Sequence, residues 1–475
     1  MKLSELAKEG RGTLFGEDVE ITSLTADSRV AGAGDLFFCI PGTRTDSHDF
    51  AKEAEERGAA AIVCERDTGV RIPQLVVPEA REGMARISAA FYGHPERKMK
   101  IIGITGTNGK TTVAHMLYSI LSEAGRRAGI IGTLGARYAS TFVPPALTTP
   151  DPTALFALLF DMQKRGVEYV VMEVSAHALA LKKVEPILFE LAIFTNLTQD
   201  HLDFFGDMAS YGEAKRRLFL NMCREAILNA DDAFSRTIEG GVPATSYGLE
   251  CPADSFALIE HESLTETRIL LNLEDDLIEA RLLTTGRHNV YNALAAGVAA
   301  KKLGVRGEVI ASGLLKVRVE GRLERVGSFH GADIFIDFAH TPDGIEKSLL
   351  SLRPHCKRRL IILFGCGGNR DRKKRSLMGE RAARFADFAV LTSDNPRYED
   401  PVSIISEIEA GFRKYSEQYV VVEEREQATK YAISLLQKGD ILLIAGKGGE
   451  TDQEIMGIKY SYNDKAIVKS ILEKL

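Results

Sequence analysis

The chain is short of cysteine, of long apolar runs and of basic charge, and each shortage removes a class of protein. Its six cysteines (Cys39, Cys64, Cys223, Cys251, Cys356 and Cys366) are scattered, with no CxxC pair. That spacing excludes a zinc ribbon or a disulfide framework and fits a reducing cytosol. No stretch approaches the roughly 18 uninterrupted apolar residues of a membrane span. The opening MKLSELAKEG lacks the apolar centre of a secretory signal. A net charge of −6 argues against a general nucleic-acid binder, while local basic pockets for phosphates stay open. No internal repeat or low-complexity segment is visible. With 45% hydrophobic and 27% charged residues, the composition is that of a globular cytoplasmic protein. No nucleic-acid partner and no stable membrane insertion are expected.

What is present is a series of strand, loop and helix patterns. At 475 residues the chain is too long for one core, so several domains are expected. The first hundred residues mix strand-like runs (DLFFCI, AAAIVCE, QLVVPE) with helical pieces, up to a proline and basic cluster in GHPERKMK. From Lys100, IIGIT reads as a buried strand and GTNGKTT as a loop. The next segment puts Val113, Met116, Leu117, Ile120 and Leu121 on one helical face, with Gly125 as a stop. An alternating stretch around FALIEHESLTETRILLNLEDDLIEARLL predicts antiparallel strands. The last part alternates strand and helix cleanly, which predicts a parallel sheet covered on both faces. Four of its strands run into polar or glycine-rich loops (HTPDG, CGGNRD, DNPRYED, GKGGETD) that should line one crevice. The expected fold is α/β in three domains. Residues 1–98 would form a small α/β unit, 99–320 a P-loop domain with a mostly parallel sheet, and 321–475 a Rossmann-like doubly wound domain.

GITGTNGKTT (Gly103 to Thr112) stands after a strand pattern and before a helix, where a phosphate-binding loop belongs. Gly106, Thr107, Asn108, Gly109 and the helix start, with Thr112 in its first turn, would cradle phosphate oxygens. Lys110 would neutralise the β- and γ-phosphates, and the Thr111 hydroxyl would ligate Mg²⁺. The strict GxxxxGK[ST] spacing is not met, because Ile104 fills the first glycine position. Glu173 in YVVMEV and His201 in NLTQDHL stand at or past strand ends and are candidate magnesium ligands; either also reads as an ordinary polar residue. Mg²⁺ prefers carboxylate, phosphate and water, which favours Glu173. Lys215, beside Arg216 and Arg217, reads from its neighbours alone as part of a solvated basic face. Arg322 is open to two readings, a cation meeting phosphate across a domain cleft or a salt-bridged boundary residue. Asp337 and His340 end the first strand of the last domain. TSDNPRYEDP ends another strand on a rigid turn that holds no bond-breaking residue.

GTNGKTT, EVSAHAL, NLTQDHLDFFG, GEAKRRLF, GRHNVYNALAA, GRLERV, DFAHTPDG, GCGGNRDRKKR, DNPR and GKGGE, in this order, resemble the Mur ligase family. The resemblance runs from about Ser28 to about Glu454 and is strongest to the members that add the third residue of the peptidoglycan stem peptide. It implies an ADP-forming, ATP- and Mg²⁺-dependent ligase, a monomer, serving cell-wall biogenesis and so cell shape and division. The reaction would join meso-diaminopimelate to UDP-N-acetylmuramoyl-L-alanyl-D-glutamate through an acyl phosphate. Ser28 and the GTRTDSHDF loop would hold the uridine end, and Thr148, Thr149, Ser175 and Lys183 the muramoyl-dipeptide. Asn289 and Asn292 would lie near the ATP base, and Arg322 and Asp337 near its phosphates and ribose. Lys110, Glu173, His201 and Lys215 would be catalytic. Lys215 would carry a carbamate (N6-carboxylysine) that helps hold a second Mg²⁺.

For diaminopimelate the implied set is Arg370, Asp394, Asn395, Pro396, Arg397, Gly446 and Glu450. Arg397 would grip the distal carboxylate through two parallel hydrogen bonds, and Arg370 would add a second charge. Asn395 and Glu450 would meet the distal ammonium. The chain departs from the family pattern at Lys183 (commonly arginine), Phe205 (histidine), Asn369 (aspartate) and Gly449 (histidine). Competing readings are L-lysine as the added amino acid, a folylpolyglutamate synthase-like ligase, a P-loop phosphotransferase and a non-enzymatic nucleotide-binding module.

Overall fold

Three sheets, each wrapped by its own helices, follow one another along the chain. The computed structural model describes residues 1–474 except Thr43, Arg44 and Glu239, so part of the GTRTDSHDF loop lies outside the described residues. In the first sheet the strands run Thr13–Phe15, Gln74–Val76, Ala61–Cys64, Asp35–Phe38, Ser23–Thr25, parallel except for the first. Ala61–Cys64 is apolar throughout because helices Leu3–Glu9 and Ala80–Phe91 cover one face and Ala51–Glu56 the other.

The central sheet has 11 strands. Lys100–Thr105 lies at its middle, flanked in parallel by Tyr169–Glu173 and Phe189–Phe194. The alternating stretch forms an antiparallel meander, Ser255–Glu262, Thr267–Leu273 and Asp276–Leu282, on one side. Helix Lys110–Glu123 buries Val113, Met116, Leu117, Ile120 and Leu121. Each such burial is worth about 1.5–3 kcal/mol. This fixes the helix, and therefore the loop before it, against the sheet. Gly125, at φ +69°, lets the chain turn back after it.

The last sheet has six strands in the order Glu324–Phe329, Ala332–Asp337, Ile441–Ala445, Leu360–Phe364, Phe388–Leu391, Tyr419–Val421. All but the first run parallel, so the four polar loops emerge at one edge. Helices Pro342–Leu352, Lys373–Phe385 and Pro401–Phe412 cover one face, and Arg425–Ser434 and Asp464–Lys474 the other. A hairpin, Asp452–Ile455 with Ile458–Ser461, sits apart from the sheet. Arg397 N donates to Glu454 O at 3.0 Å and Met456 N to Arg397 O at 2.7 Å, which tie the hairpin to the DNPR turn. Among the described residues no helix is long and apolar enough to cross a membrane.

Helices Lys373–Phe385 and Pro401–Phe412 approach so closely that a methyl at Gly411 would overlap the Ser376 carbonyl, and one at Gly379 the Ile408 carbonyl. The first of these helices carries Lys374, which pairs with Asp200, and Arg375, which pairs with Glu399. Overpacking of this kind costs about 1–3 kcal/mol. Gly411→Ala should lower stability by at least that amount, read as an earlier unfolding transition in denaturant.

Candidate active site

The phosphate-type loop is shaped by two close approaches. A methyl at Gly106 (φ +147°) would overlap Thr195 Oγ1, and one at Gly109 (φ +89°) would lie 2.5 Å from Asn292 Oδ1. The loop is stitched to the end of the adjacent strand. Thr107 N donates to Asn196 O (2.8 Å), Asn108 N to Asn196 Oδ1 (2.9 Å) and Thr195 Oγ1 to Asn108 O (2.6 Å). Lys110 Nζ curls back to Gly106 O and Thr107 O, both at 2.9 Å. Burial pulls this ammonium below its ordinary pKa, against the pull of Glu173 and Asp200.

Glu173 is wholly buried, and its partners are neutral except at one remove. Thr111 Oγ1 donates to Oε2 at 2.9 Å, Thr133 Oγ1 to the same oxygen at 3.1 Å, and Thr133 N to Oε1 at 2.8 Å. Arg322 Nη2 in turn donates to Thr111 Oγ1 at 2.9 Å from across the domain boundary. A buried carboxylate next to the phosphate loop, with only hydroxyls and a peptide N–H on it, fits an oxygen ligand of Mg²⁺. Among the described residues no three His, Cys, Asp or Glu side chains form a ready metal cage, so phosphate and water would have to complete the shell.

Lys215 overturns the solvated-face reading. It is 1% exposed, donates to Gly106 O at 2.9 Å and stands 4.3 Å from the Tyr211 ring centre. Helix Met208–Leu220 turns Lys215 inward, while Arg216 and Arg217 face outward to Thr237 O and Glu185. Burial, then Lys110, hold its pKa well below the ordinary lysine value. His201 packs on the same Tyr211, at 6.0 Å between rings. Its polar contact is Asp200, 3.3 Å from Nε2, and burial lowers its pKa to about 3. Phe205, in place of the common histidine, joins the stack around His177 and Tyr211.

A cleft of 490 Å³ between the central and last domains is lined by Asn108, Gly109, Asn289, Asn292, Arg322 and Asp337 among others. The residues expected around ATP are thus brought together. Asp337 is held in place as an acceptor, from Leu323 N (2.6 Å), Ala339 N (2.9 Å) and Ser348 Oγ (2.9 Å). Thr148, Thr149 and Ser175 gather beside Glu173. Thr149 Oγ1 donates to Glu173 O at 2.9 Å and accepts from Ser175 N at 3.1 Å, and Thr148 Oγ1 is 3.1 Å from Thr133 Oγ1. Lys183 pairs with Asp151 at 2.6 Å. Ser28 belongs to the first domain, where it donates to Glu53 at 3.0 Å.

The amine-side loops meet at Gly367, where an added methyl would lie 2.9 Å from Arg397 Nη1 and 3.8 Å from Arg370 Cγ. Partial burial, then Arg397, lower the pKa of Arg370. Arg397, at φ +53°, is already engaged, with Nε to Glu454 at 3.1 Å and Nη1 to Gly368 O at 2.8 Å. It is therefore not left unpaired when no ligand carboxylate is present. Asn369 takes a left-handed φ of +51°, which suits asparagine, and accepts from Tyr398 N at 3.0 Å. Arg375, Glu399, Lys447 and Glu454 were not singled out from the sequence. Arg375 is buried and grips Glu399 with both Nη atoms at 2.9 Å, bracing the turn from below. Its one sequence signal was a basic residue in an otherwise apolar helical face.

Asp200 joins the two halves. It is buried, 3.1 Å from Lys374 Nζ and 3.6 Å from His340 of the last domain. Burial alone would raise its pKa, but Lys374 and the neighbouring histidines hold it well below the carboxylate range. Asn108 Nδ2 to Asp343 at 2.8 Å crosses the same boundary.

This site, three-domain and α/β throughout, matches family models in sequence order: a Mur ligase family catalytic domain over residues 20–92, the Mur ligase middle domain over 104–300, and the Mur ligase glutamate ligase domain over 321–448. The chain belongs to the Mur ligase family. It is 41% identical over 474 residues to the UDP-N-acetylmuramoyl-L-alanyl-D-glutamate--2,6-diaminopimelate ligase of Geobacillus thermodenitrificans, covering 97% of this chain and 96% of that one. It is 40% identical over 481 residues to the protein of the same name from Caldanaerobacter subterraneus, covering 99% of each. A solved structure of a ligase with that name matches over 100% of this chain and 99% of its own, at 29% identity and a TM-score of 0.69.

Removing one partner of a buried ion pair costs about 3–5 kcal/mol. Lys374→Met should destabilise the protein by that order at neutral pH. In the wild type the depressed Asp200 pKa contributes stability above the unfolded value of about 3.9, lost as pH falls through the lower native value. In the variant burial raises that pKa instead, so the deficit should narrow on acidification, as measured by denaturant unfolding across pH.

Proposed function

We propose that this chain is an ATP-dependent ligase that joins meso-diaminopimelate to UDP-N-acetylmuramoyl-L-alanyl-D-glutamate, acting in the cytoplasm on peptidoglycan precursors. The observation that carries this reading is the joining of two half-sites across one domain boundary. The phosphate loop, Thr111, Glu173 and Arg322 gather in one and Arg370 and Arg397 in the other, and the contacts Asp200–Lys374 and Gln199–Asp371 bridge them. The names of the similar proteins describe the same reaction.

A carboxylate and an amine do not condense unaided in water, so the acid must be activated. The γ-phosphoryl group of ATP would pass to the D-glutamyl side-chain carboxylate, giving an acyl phosphate and ADP. Lys110 and Arg322, both cations at the loop, offset the charge that develops on the transferring oxygens. Mg²⁺ held by Thr111 and Glu173 would supply further neutralisation of the phosphates. An uncharged amine is the form that takes up CO₂, and the lowered pKa of Lys215 favours it; as a carbamate Lys215 would become an anionic ligand beside His201 on Tyr211. Thr148, Thr149, Ser175 and Lys183 would orient the dipeptide, and Ser28 the uridine end. The free amine of diaminopimelate then attacks the acyl carbon and expels phosphate. Docking of the last domain, through Asp200 and Lys374, keeps the two reactants together and water out.

Arg370 and Arg397 would recognise the distal carboxylate that lysine lacks. Glu454 beside Arg397 favours a second reading, because lysine would then leave that guanidinium partnered. A charged hydrogen bond is worth roughly 1.5–3 kcal/mol, or about tenfold and more in kcat/KM. Phosphate release should require both ATP and the amino acid, with diaminopimelate preferred at least tenfold over L-lysine. Equal or better turnover with lysine sinks the assignment. Arg397→Ala should raise the diaminopimelate KM about tenfold or more while leaving the ATP KM nearly unchanged.

A further inference from the structure

GKGGE buries a lysine in the amine pocket. Lys447 is 0% exposed and stands between glycines at φ +116° and +53°. A methyl on Gly446 would press on Asp394 Oδ2 at 2.8 Å, and one on Gly448 on Phe338 Cβ at 2.8 Å. The glycines therefore let the backbone close around the lysine. Its Nζ lies 2.9 Å from Asn395 Oδ1, 3.0 Å from Glu450 Oε2 and 3.5 Å from Asp394 Oδ1.

These bonds set which way the Asn395 amide points. Glu454 N also donates to Asn395 Oδ1, at 3.0 Å. An ammonium and a peptide N–H can only donate, so the amide oxygen must face both of them. The Nδ2 group is forced to the other side, where it donates to Glu450 Oε2 at 3.0 Å and keeps one N–H to spare. Asn395 accordingly turns its donor side away from Lys447 and towards Glu450, an orientation suited to a carboxylate rather than to an ammonium. Glu450 has its Oε2 taken by Lys447 and Asn395, which leaves Oε1 for a ligand ammonium.

We infer that Lys447 is a specificity-positioning residue: its buried charge orients the Asn395 amide and occupies one Glu450 oxygen. The pocket then presents N–H donors, Asn395 with Arg370 and Arg397, to a distal carboxylate, and a single carboxylate oxygen to a distal ammonium. This inference rests on the diaminopimelate reading above. Without the internal cation, Asp394 and Glu450 each lose a donor and the Asn395 oxygen is held inward by the Glu454 N–H alone, so it turns outward more readily. A substrate ending only in an ammonium is then accommodated better, and one ending in ammonium and carboxylate worse.

The test compares kcat/KM for diaminopimelate and L-lysine in wild type, Lys447→Met and Asn395→Asp, with the ATP KM followed in each. Lys447→Met should lower the diaminopimelate-to-lysine ratio about tenfold or more, chiefly through the diaminopimelate KM, with the ATP KM within about twofold. Asn395→Asp keeps the buried lysine but removes the donor, and should lower the ratio in the same direction. A fall in overall activity or stability with an unchanged ratio overturns the inference. Should Lys447→Met fail to fold, an unchanged ratio in Asn395→Asp overturns it alone. Wild type that forms no diaminopimelate amide refutes the proposed reaction instead, so the two failures are distinct.

Discussion

The buried contact of Asp200 with Lys374 joins the domain that holds the glycine-rich GTNGKTT loop to the domain that holds the DNPR turn. Both charges are out of water, so each depends on the other, and neither domain presents a comfortable surface alone. Asn108 to Asp343 and Arg322 to Thr111 cross the same boundary. Together they place a cation from the last domain against the hydroxyl that caps the buried Glu173. On the proposed reaction, the chemistry would thereby be tied to the docking, with the acid activated where the amine can reach it.

Buried charge is the recurring device of this site, and glycine makes it possible. Glu173 fits below Gly132, where a side chain would collide with the carboxylate. Lys110 and Lys215 converge on the single carbonyl of Gly106, which repels neither but draws both under the loop. Two ammonium groups so close, away from solvent, disfavour each other's charge, and the pKa of the more deeply placed Lys215 is held well below the ordinary lysine value. Lys447 keeps its place differently, because Asn395, Glu450 and Asp394 surround it with acceptors.

Much of this was readable in the chain. The helical face of Val113 to Leu121 and the antiparallel meander follow from periodicity, because burial on one side leaves a repeat in the residues themselves. The loops at strand ends were readable for a similar reason: parallel strands all point their carboxyl ends one way. Lys215 was not readable from its neighbours. KRR looks the same whether the first residue points in or out, and helix packing against Tyr211 and the phosphate loop decided it. Nor were Arg375, Lys374 and Lys447, whose partners lie from three to 174 positions away. The two-stranded hairpin that carries Glu454 left only a weak alternation in its short, exposed strands.

Sequence alone thus specified the order of three α/β units, the phosphate loop and the rigid Asn-Pro turn, since those depend on local conformation and on which face of an element is apolar. Direction of charge was settled only in three dimensions. Whether a lysine is a solvated cation, a buried amine with a depressed pKa or an internal counter-ion depends on burial and on acceptors brought from distant parts of the chain. The Asn395 amide is the sharpest case, because the same side chain offers either an acceptor or a donor, and two donors packed behind it choose which.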